Sequence, residues 1–328
     1  MLLLNKKDIA RVFSMEDAIA SVKEAFAMAS EKSCHIPLRT NIQVPKYDAC
    51  YLVMPAYAEK LDTAAIKMIG CFPQNVKEGL PSLPAQIFLA DGTTGMVSAA
   101  LDGTYITQLR TGAASGAAFD ILAKKNCRIG ALIGTGGQAV AQLEAMITVR
   151  DLNEVRIYSR HADHAAAFAD EMRKKLAHCK ADIICAASSA EAVDNADMII
   201  TATPSKAPVF DGSLVKKGAT ISCIGSYQPF MQELPPDLLV NADKVYFDSR
   251  DAVLAEAGDM IIPLEQGIIT EERFTGELGE VISGRIAGRE DDAEIIIFKS
   301  VGIAAQDLCT AKAIYDKAVI SGIGFDWN

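Results

Sequence analysis

Apolar and polar residues alternate at helical spacing from residue 1 to about 30, and over 15–26 Ala, Ile, Val and Phe recur on one face with Glu, Asp and Lys between them. Ser14 stands where a helix start needs an oxygen acceptor, so an amphipathic helix is predicted to begin just after it. From about 36 to 102 the pattern changes to short apolar runs broken by Pro and Gly, at 49–55, 64–70, 85–90 and 96–101, with Asp91-Gly92 and Asp102-Gly103 read as turns. These runs predict antiparallel sheet. A helix rich in Ala and Gly follows at about 104–123, its small side chains suited to close packing. Between about 128 and 250, six strand-like runs (128–133, 154–158, 182–186, 198–202, 219–224 and 244–247) alternate with helical stretches. That is the period of an α/β, Rossmann-type, doubly wound parallel sheet. Beyond 251 the chain reads as helical and loop-like, and 295–302 feed a last helix that is expected to return to the N-terminal part.

Composition narrows the class of protein. The chain has 328 residues, 50% hydrophobic and 23% charged, which excludes collagen-like and disordered classes and suits two domains of about 150 residues each. Lys and Arg number 32 against 42 Asp and Glu, for a net charge of −10, and no basic run reverses that field, so neither nucleic acid nor a membrane surface is an expected partner. No charge-free apolar run approaches the ~18 residues of a membrane span. Lys6, Lys7 and Asp8 arrive too early for a signal peptide, so a cytoplasmic location is expected. The eight cysteines show no Cys-x-x-Cys pair and read as reduced, mostly buried hydrophobes. His161 and His164 lack a third ligand nearby, and no metal is expected. The acidic segments 248–251 and 290–292 read as solvated turns, while Glu256 and Asp259 read equally as helix caps or as neighbours of a cofactor cleft.

The candidate chemistry begins at Gly134, Gly136 and Ala139, a G-x-G-x-x-A fingerprint between the strand-like run 128–133 and a helix. Gly134 permits a tight turn, Gly136 lets backbone approach a pyrophosphate, Ala139 keeps helix and strand close, and the helix start supplies N–H donors. Dinucleotide binding follows. About 20 residues further on, where an NAD site places an acid on the ribose hydroxyl, the chain has Ser159-Arg160. A hydroxyl and a guanidinium suit a 2′-phosphate, so NADP(H) is the expected cofactor, with NAD(H) the second candidate.

Several segments together resemble the ornithine cyclodeaminase/mu-crystallin family over nearly the whole chain. They are 54–57 (Met-Pro-Ala-Tyr), Lys67, 79–85, 109–113 (Leu-Arg-Thr-Gly-Ala), 134–139, 279–281, 298–302 (Phe-Lys-Ser-Val-Gly) and Gln306-Asp307. The resemblance implies a substrate-binding and homodimerisation domain of α+β type made from 1–120 and 300–328, and a dinucleotide domain over 121–299. It further implies that Arg39 and Arg110 clamp a substrate carboxylate and that Lys67 acts at the reacting carbonyl or imine. Ser82, Arg110, Thr111, Gly137, Gln138, Thr203 and Ser226 would lie near the nicotinamide and phosphates. The chemistry agrees, since a guanidinium fork matches a carboxylate and an ammonium can donate a proton to a reacting nitrogen.

Two positions depart from the cyclodeaminase branch. Its acid in a Gly-Ala-Asp-x-Pro pattern is replaced by Tyr227 within 225–229, and its acid before the Met-Pro pair is missing from Tyr51-Leu52-Val53. The expected activity is therefore NAD(P)H-dependent reduction of an α-imino acid, a cyclic ketimine such as pyrroline- or piperideine-2-carboxylate, as the resemblance to the ketimine reductase branch implies. The alternatives are an ornithine or lysine cyclodeaminase using NAD, an NADP-dependent amino-acid dehydrogenase or N-alkyl amino-acid synthase, and a non-enzymatic protein that holds NADPH and a carboxylate ligand.

Overall fold

The structure, a computed structural model, describes residues 1–327. Its chain divides into two units, one of Met1–Arg110 together with Gly302 onward, the other of Thr111–Val301. The first break falls inside a helix, at Arg110/Thr111.

In the first unit β1 (Leu2–Leu4) precedes α1 (Lys6–Val12) and α2 (Met15–Ser30). Asn5 and Ser14 cap the two helices, each in a capping box with an Asp three residues on. There follow β2 (Cys34–His35), β3 (Thr40–Val44), β4 (Ala49–Ala58), β5 (Thr63–Cys71), β6 (Ala85–Asp91) and β7 (Val97–Asp102). The sheet runs from the Phe325–Asp326 strand through β1, β7, β6, β5 and β4 to β2, with β3 also on β4. It is antiparallel as patterned, apart from β1, which lies parallel to β7. Along β5, Ala65, Lys67 and Ile69 are buried while Ile66 and Met68 are exposed, the period-2 signature of a sheet covered on one face. The helix Ala304–Ser321 packs on β4, β5 and β6 and on α2. Asp102-Gly103 is not a hairpin turn: Asp102 ends β7 and its carboxylate accepts the Tyr105 N–H, which starts α3 (Gly103–Leu122).

In the second unit, β8 (Ile129–Ile133), α4 (Ala139–Val149), β9 (Glu154–Tyr158), α5 (Ala162–Lys175), β10 (Asp182–Cys185), β11 (Met198–Thr201) and β12 (Thr220–Cys223) follow the predicted alternation. They are completed by β13 (Lys244–Phe247), β14 (Gly276–Glu277) and β15 (Ile296–Lys299). All pair in parallel, in the order β10-β9-β8-β11-β12-β15-β13-β14. The sheet thus has eight strands where six were expected. β15, read only as a run leading into a helix, inserts between β12 and β13. Buried on both faces, a strand such as Ile296–Lys299 shows no alternation that would separate it from a buried helix turn. The order reverses at β8, so the crevice beyond the carboxyl ends of β8 and β11 is the switch point at which such sheets bind ligands.

The same insertion overturns the reading of two acids. Asp248 is buried rather than solvated, its carboxylate accepting the Ser300 hydroxyl at 2.6 Å and the Val301 N–H at 3.0 Å. Asp259 is neither a cap nor a cleft residue but a buried partner of Lys299 on β15, 2.8 Å away. Residues 290–292 are exposed, as read. No helix among the described residues is long and apolar enough to cross a membrane.

Candidate active site

In the first unit the alternation of β5 turns Lys67 into the interior, where it is 1% exposed. Its Nζ lies 2.6 Å from Oδ2 of Asp307, which the first turn of Ala304–Ser321 carries, and Arg110 Nε lies 3.2 Å from Oδ1 of the same carboxylate. The glycine of the Phe-Lys-Ser-Val-Gly segment has a clear purpose: Gly302 sits at φ +81°, and a Cβ there would overlap the Arg110 guanidinium. Arg39, in the loop before β3, donates from Nη2 to the Gly302 carbonyl at 2.7 Å. Gln306, fully buried, accepts the Ile303 N–H at 2.9 Å and stands 3.5 Å from Arg110 Nη1. Two cations thus share one carboxylate, with Arg39 held at the neighbouring Gly302 carbonyl, and the excess positive charge of the pair calls for an anion.

Burial drives the Lys67 ammonium down to about 7, with Arg110 and Arg39 pushing the same way and Asp307 opposing. At neutral pH both protonation states are populated, as a group that gives and takes a proton requires. Cys71, on the same strand, is pushed up to about 12 by burial and by Cys50 opposite it, so no thiolate competes as a nucleophile.

Sequence reasoning matched Gln306-Asp307 without giving either a role. The available signal was an amide and an acid side by side in a stretch, 303–309, that is otherwise apolar, of a helix that had to face a core.

In the second unit Gly134 adopts φ +109°, and a Cβ there would overlap the Ala202 carbonyl, so only glycine lets β8 turn beside β11. At Gly136 a Cβ would meet open space, and Ala139 is fully buried at the start of α4. A cavity of about 420 Å³ opens here, lined by Gly134, Gly136, Ser159, Arg160, His161, His164, Thr203 and Ser205 among others, with no Asp or Glu in its wall. Of the sequence candidates, Gly134, Gly136, Ser159, Arg160 and Thr203 are brought together in this wall. Gly137 and Gln138 lead into α4 without lining it. Thr111 accepts Gln142 Nε2 on its carbonyl at 2.8 Å. The Ser226 hydroxyl turns inward to the Met231 carbonyl at 2.8 Å, and Ser82, in the first unit, accepts the Phe72 N–H on its carbonyl. A glycine turn, a helix start and a guanidinium around an acid-free cavity fit a dinucleotide, with the phosphates at the helix start.

A dinucleotide cavity at a sheet switch point and a cationic cluster holding a lysine near neutrality define a nicotinamide-dependent oxidoreductase. The chain belongs to the ornithine cyclodeaminase/mu-crystallin family, whose model matches residues 1–322. It is 38% identical over 324 residues to a Delta(1)-pyrroline-2-carboxylate reductase of Bacillus cereus, covering 99% of this chain and 98% of that one. Among solved structures it resembles the Thermococcus litoralis Delta(1)-pyrroline-2-carboxylate reductase in complex with NADH and L-proline, at TM-score 0.95 and 39% identity over 100% of both chains. It also resembles an archaeal alanine dehydrogenase dimer with bound NAD, at TM-score 0.92 and 33% identity over 100% of this chain and 99% of that one.

Proposed function

We propose that this protein reduces the C=N bond of a cyclic 2-imino carboxylic acid, pyrroline- or piperideine-2-carboxylate, with NADPH as the preferred reductant. The observation that carries the reading is the Lys67–Asp307–Arg110 cluster with Arg39 beside it, a buried site with surplus positive charge and one group poised to move a proton. The two reductases it resembles, at 38% and 39% identity, support the substrate class.

Each residue has a separable task. Arg110, fixed through Nε by Asp307 and given room by Gly302, binds the substrate carboxylate together with Arg39. A bound reduced nicotinamide supplies the hydride to C2. Lys67 holds the proton that the imine nitrogen takes up and, in the reverse direction, accepts it back. Asp307 keeps the ammonium form of Lys67 populated despite its burial. The cluster holds no second acid to drive internal amine attack and ammonia release, and Tyr227 stands where the lyase branch has its Asp, so reduction is favoured over cyclodeamination.

A screen of NADPH and NADH oxidation tests the reading. Cyclic imino acids are expected to turn over at least about tenfold faster than pyruvate with ammonia or methylamine. The dehydrogenase reading, supported by the alanine dehydrogenase match, requires the opposite order. Ammonia release from ornithine or lysine without net NADPH consumption would establish the lyase instead.

Coenzyme preference rests on Arg160 and Ser159 in an acid-free wall. Arg160→Ala is expected to lower kcat/KM for NADPH by about 10- to 100-fold, the worth of a charge-assisted phosphate contact, and to leave the NADH value within a factor of about two. Equal losses with both coenzymes would remove the 2′-phosphate assignment.

The assembly we propose is a homodimer through the uncovered face of the first unit's sheet. Ile66 and Phe88 are register partners on β5 and β6, Ile42 and Tyr51 are partners on β3 and β4, and all four are exposed, as is Met68. A contiguous apolar stripe of this kind on one sheet face suits a contact surface. Met68→Asp combined with Phe88→Glu should convert a dimer to a monomer by light scattering, and a dimer that persists places the interface elsewhere.

A further inference from the structure

Behind the cavity of the second unit lies a carboxylate that neither the sequence motifs nor the mechanism uses. Glu233, in the loop that follows β12, is fully buried. Its Oε1 accepts the Thr203 N–H at 2.6 Å and the Thr203 hydroxyl at 2.8 Å, and its Oε2 accepts the Gly225 N–H at 2.7 Å and the Thr201 hydroxyl at 3.0 Å. These donors come from the carboxyl ends of β11 and β12. At Gly225 a Cβ would overlap the Thr203 backbone and the Glu233 carboxylate, so the glycine is what allows the approach.

The backbone around Glu233 braces the same wall. Its carbonyl accepts the Val209 N–H at 2.9 Å, and the Gln232 N–H donates to the Ser205 carbonyl at 2.9 Å. Thr203, Ser205 and Val209 all line the cavity. Glu233 is held in turn from the other side, because Asp259 accepts the N–H groups of Glu233 and Leu234 on one oxygen and pairs with buried Lys299 through the other. Lys299 is therefore committed to Asp259, and Glu233 receives only neutral donors. A fold needing charge balance alone would have paired Glu233 with the lysine directly.

We infer that Glu233 is a positioning residue for dinucleotide binding, a buried clamp that sets the Thr203–Val209 wall against the fingerprint turn. The inference rests on the reading of that cavity as the dinucleotide site. It also changes what Thr203 does: its N–H and hydroxyl both serve Glu233, and its methyl carbon lies 3.0 Å from where a Gly134 Cβ would stand. Thr203 thus shapes the wall, and its donors face away from a ligand. Burial and neighbouring Asp259 push the Glu233 acid up to about 7, while Lys299 and the Thr203 donors oppose them. Cys223, the other titratable neighbour, has its thiol pushed well above its ordinary range by burial and stays neutral.

Calorimetric titration of the full-length protein with NADPH and with NADH, alongside steady-state kinetics, tests this. Glu233→Gln turns an NH2 group toward one pair of donors and is expected to raise Kd and KM for both coenzymes by about tenfold or more, with KM for the imine changed less than about twofold. Thr203→Val keeps the carboxylate and deletes one hydroxyl donor; it should raise Kd in the same direction by a smaller factor, and it serves if Glu233→Gln does not fold. A folded Glu233→Gln, or failing that a folded Thr203→Val, that binds both coenzymes as the wild type does would overturn the inference and leave Glu233 a support of the fold only. Wild-type protein that binds neither coenzyme would instead refute the reading of the cavity, a result visible before any variant is made.

Discussion

Replacing Lys67 by Met is expected to lower kcat for imine reduction by about 10²–10⁴-fold, the usual range for removing a positioned proton donor, while coenzyme Kd stays at its wild-type value. Methionine suits the site sterically: it is unbranched, close to lysine in length, and apolar where lysine is 1% exposed. Asp307 keeps Arg110 as a partner in the variant, so no buried carboxylate is stranded. The pH profile supplies a second readout. With the ammonium lowered to about 7, reduction should decline as pH rises through that region and the acid form is lost, whereas oxidation of the cyclic amino acid should increase over the same interval as the base form appears. Steady-state kcat in both directions from pH 5.5 to 9 checks this, and a limb that survives in Lys67→Met belongs to the substrate's own titration. Activity within about tenfold of wild type would falsify the assignment of the proton to Lys67.

What the sequence disclosed and what it concealed follow from where each residue's partners lie. β5 was legible as a strand because its apolar run is short and bounded by turn residues, but nothing local turned Lys67 inward, since its neighbours on the exposed face, Ile66 and Met68, are themselves apolar. Ser159 and Arg160 were legible because a strand-helix-strand unit of fixed length separates them from the fingerprint. β15 was not, since a strand enclosed on both faces carries no period. That single omission propagated to Asp248 and Asp259, whose partners Ser300 and Lys299 stand on or beside β15. An acid whose counter-charge is concealed reads as a surface residue. Asp307 was hidden for a related reason: it meets Lys67 across a sequence separation of 240 residues, and no local pattern encodes that contact. Arg39, Lys67 and Arg110 entered as candidates through resemblance to a family, and it is geometry that ties Lys67 and Arg110 to Asp307 and Arg39 to the Gly302 carbonyl.

Asp307→Asn is expected to act on catalysis and stability in ways that separate a proton-setting role from a proton-donating one. Removing one partner of a buried ion pair destabilises by about 3–5 kcal/mol when the remaining charges cannot escape. Arg110 cannot escape, but Lys67 can, because burial has already brought it to about 7 and losing Asp307 lowers it further. A lysine depressed in the folded state binds fewer protons than the same lysine unfolded, so this group makes stability rise with pH between its folded and unfolded values. The deficit of Asp307→Asn in urea unfolding should therefore be greatest at acid pH, where wild-type Lys67 is charged and paired, should shrink as pH rises toward 7, and should level off above it, where Lys67 is neutral in both proteins. Catalytically, each unit by which the lysine is further depressed removes about tenfold of the protonated form at a pH above it. Reduction at pH 8 should consequently fall steeply, its descending limb moving toward acid pH, while oxidation, which uses neutral Lys67, is largely retained. Were Asp307 itself the donor, both directions would fall together and the limb would vanish rather than move.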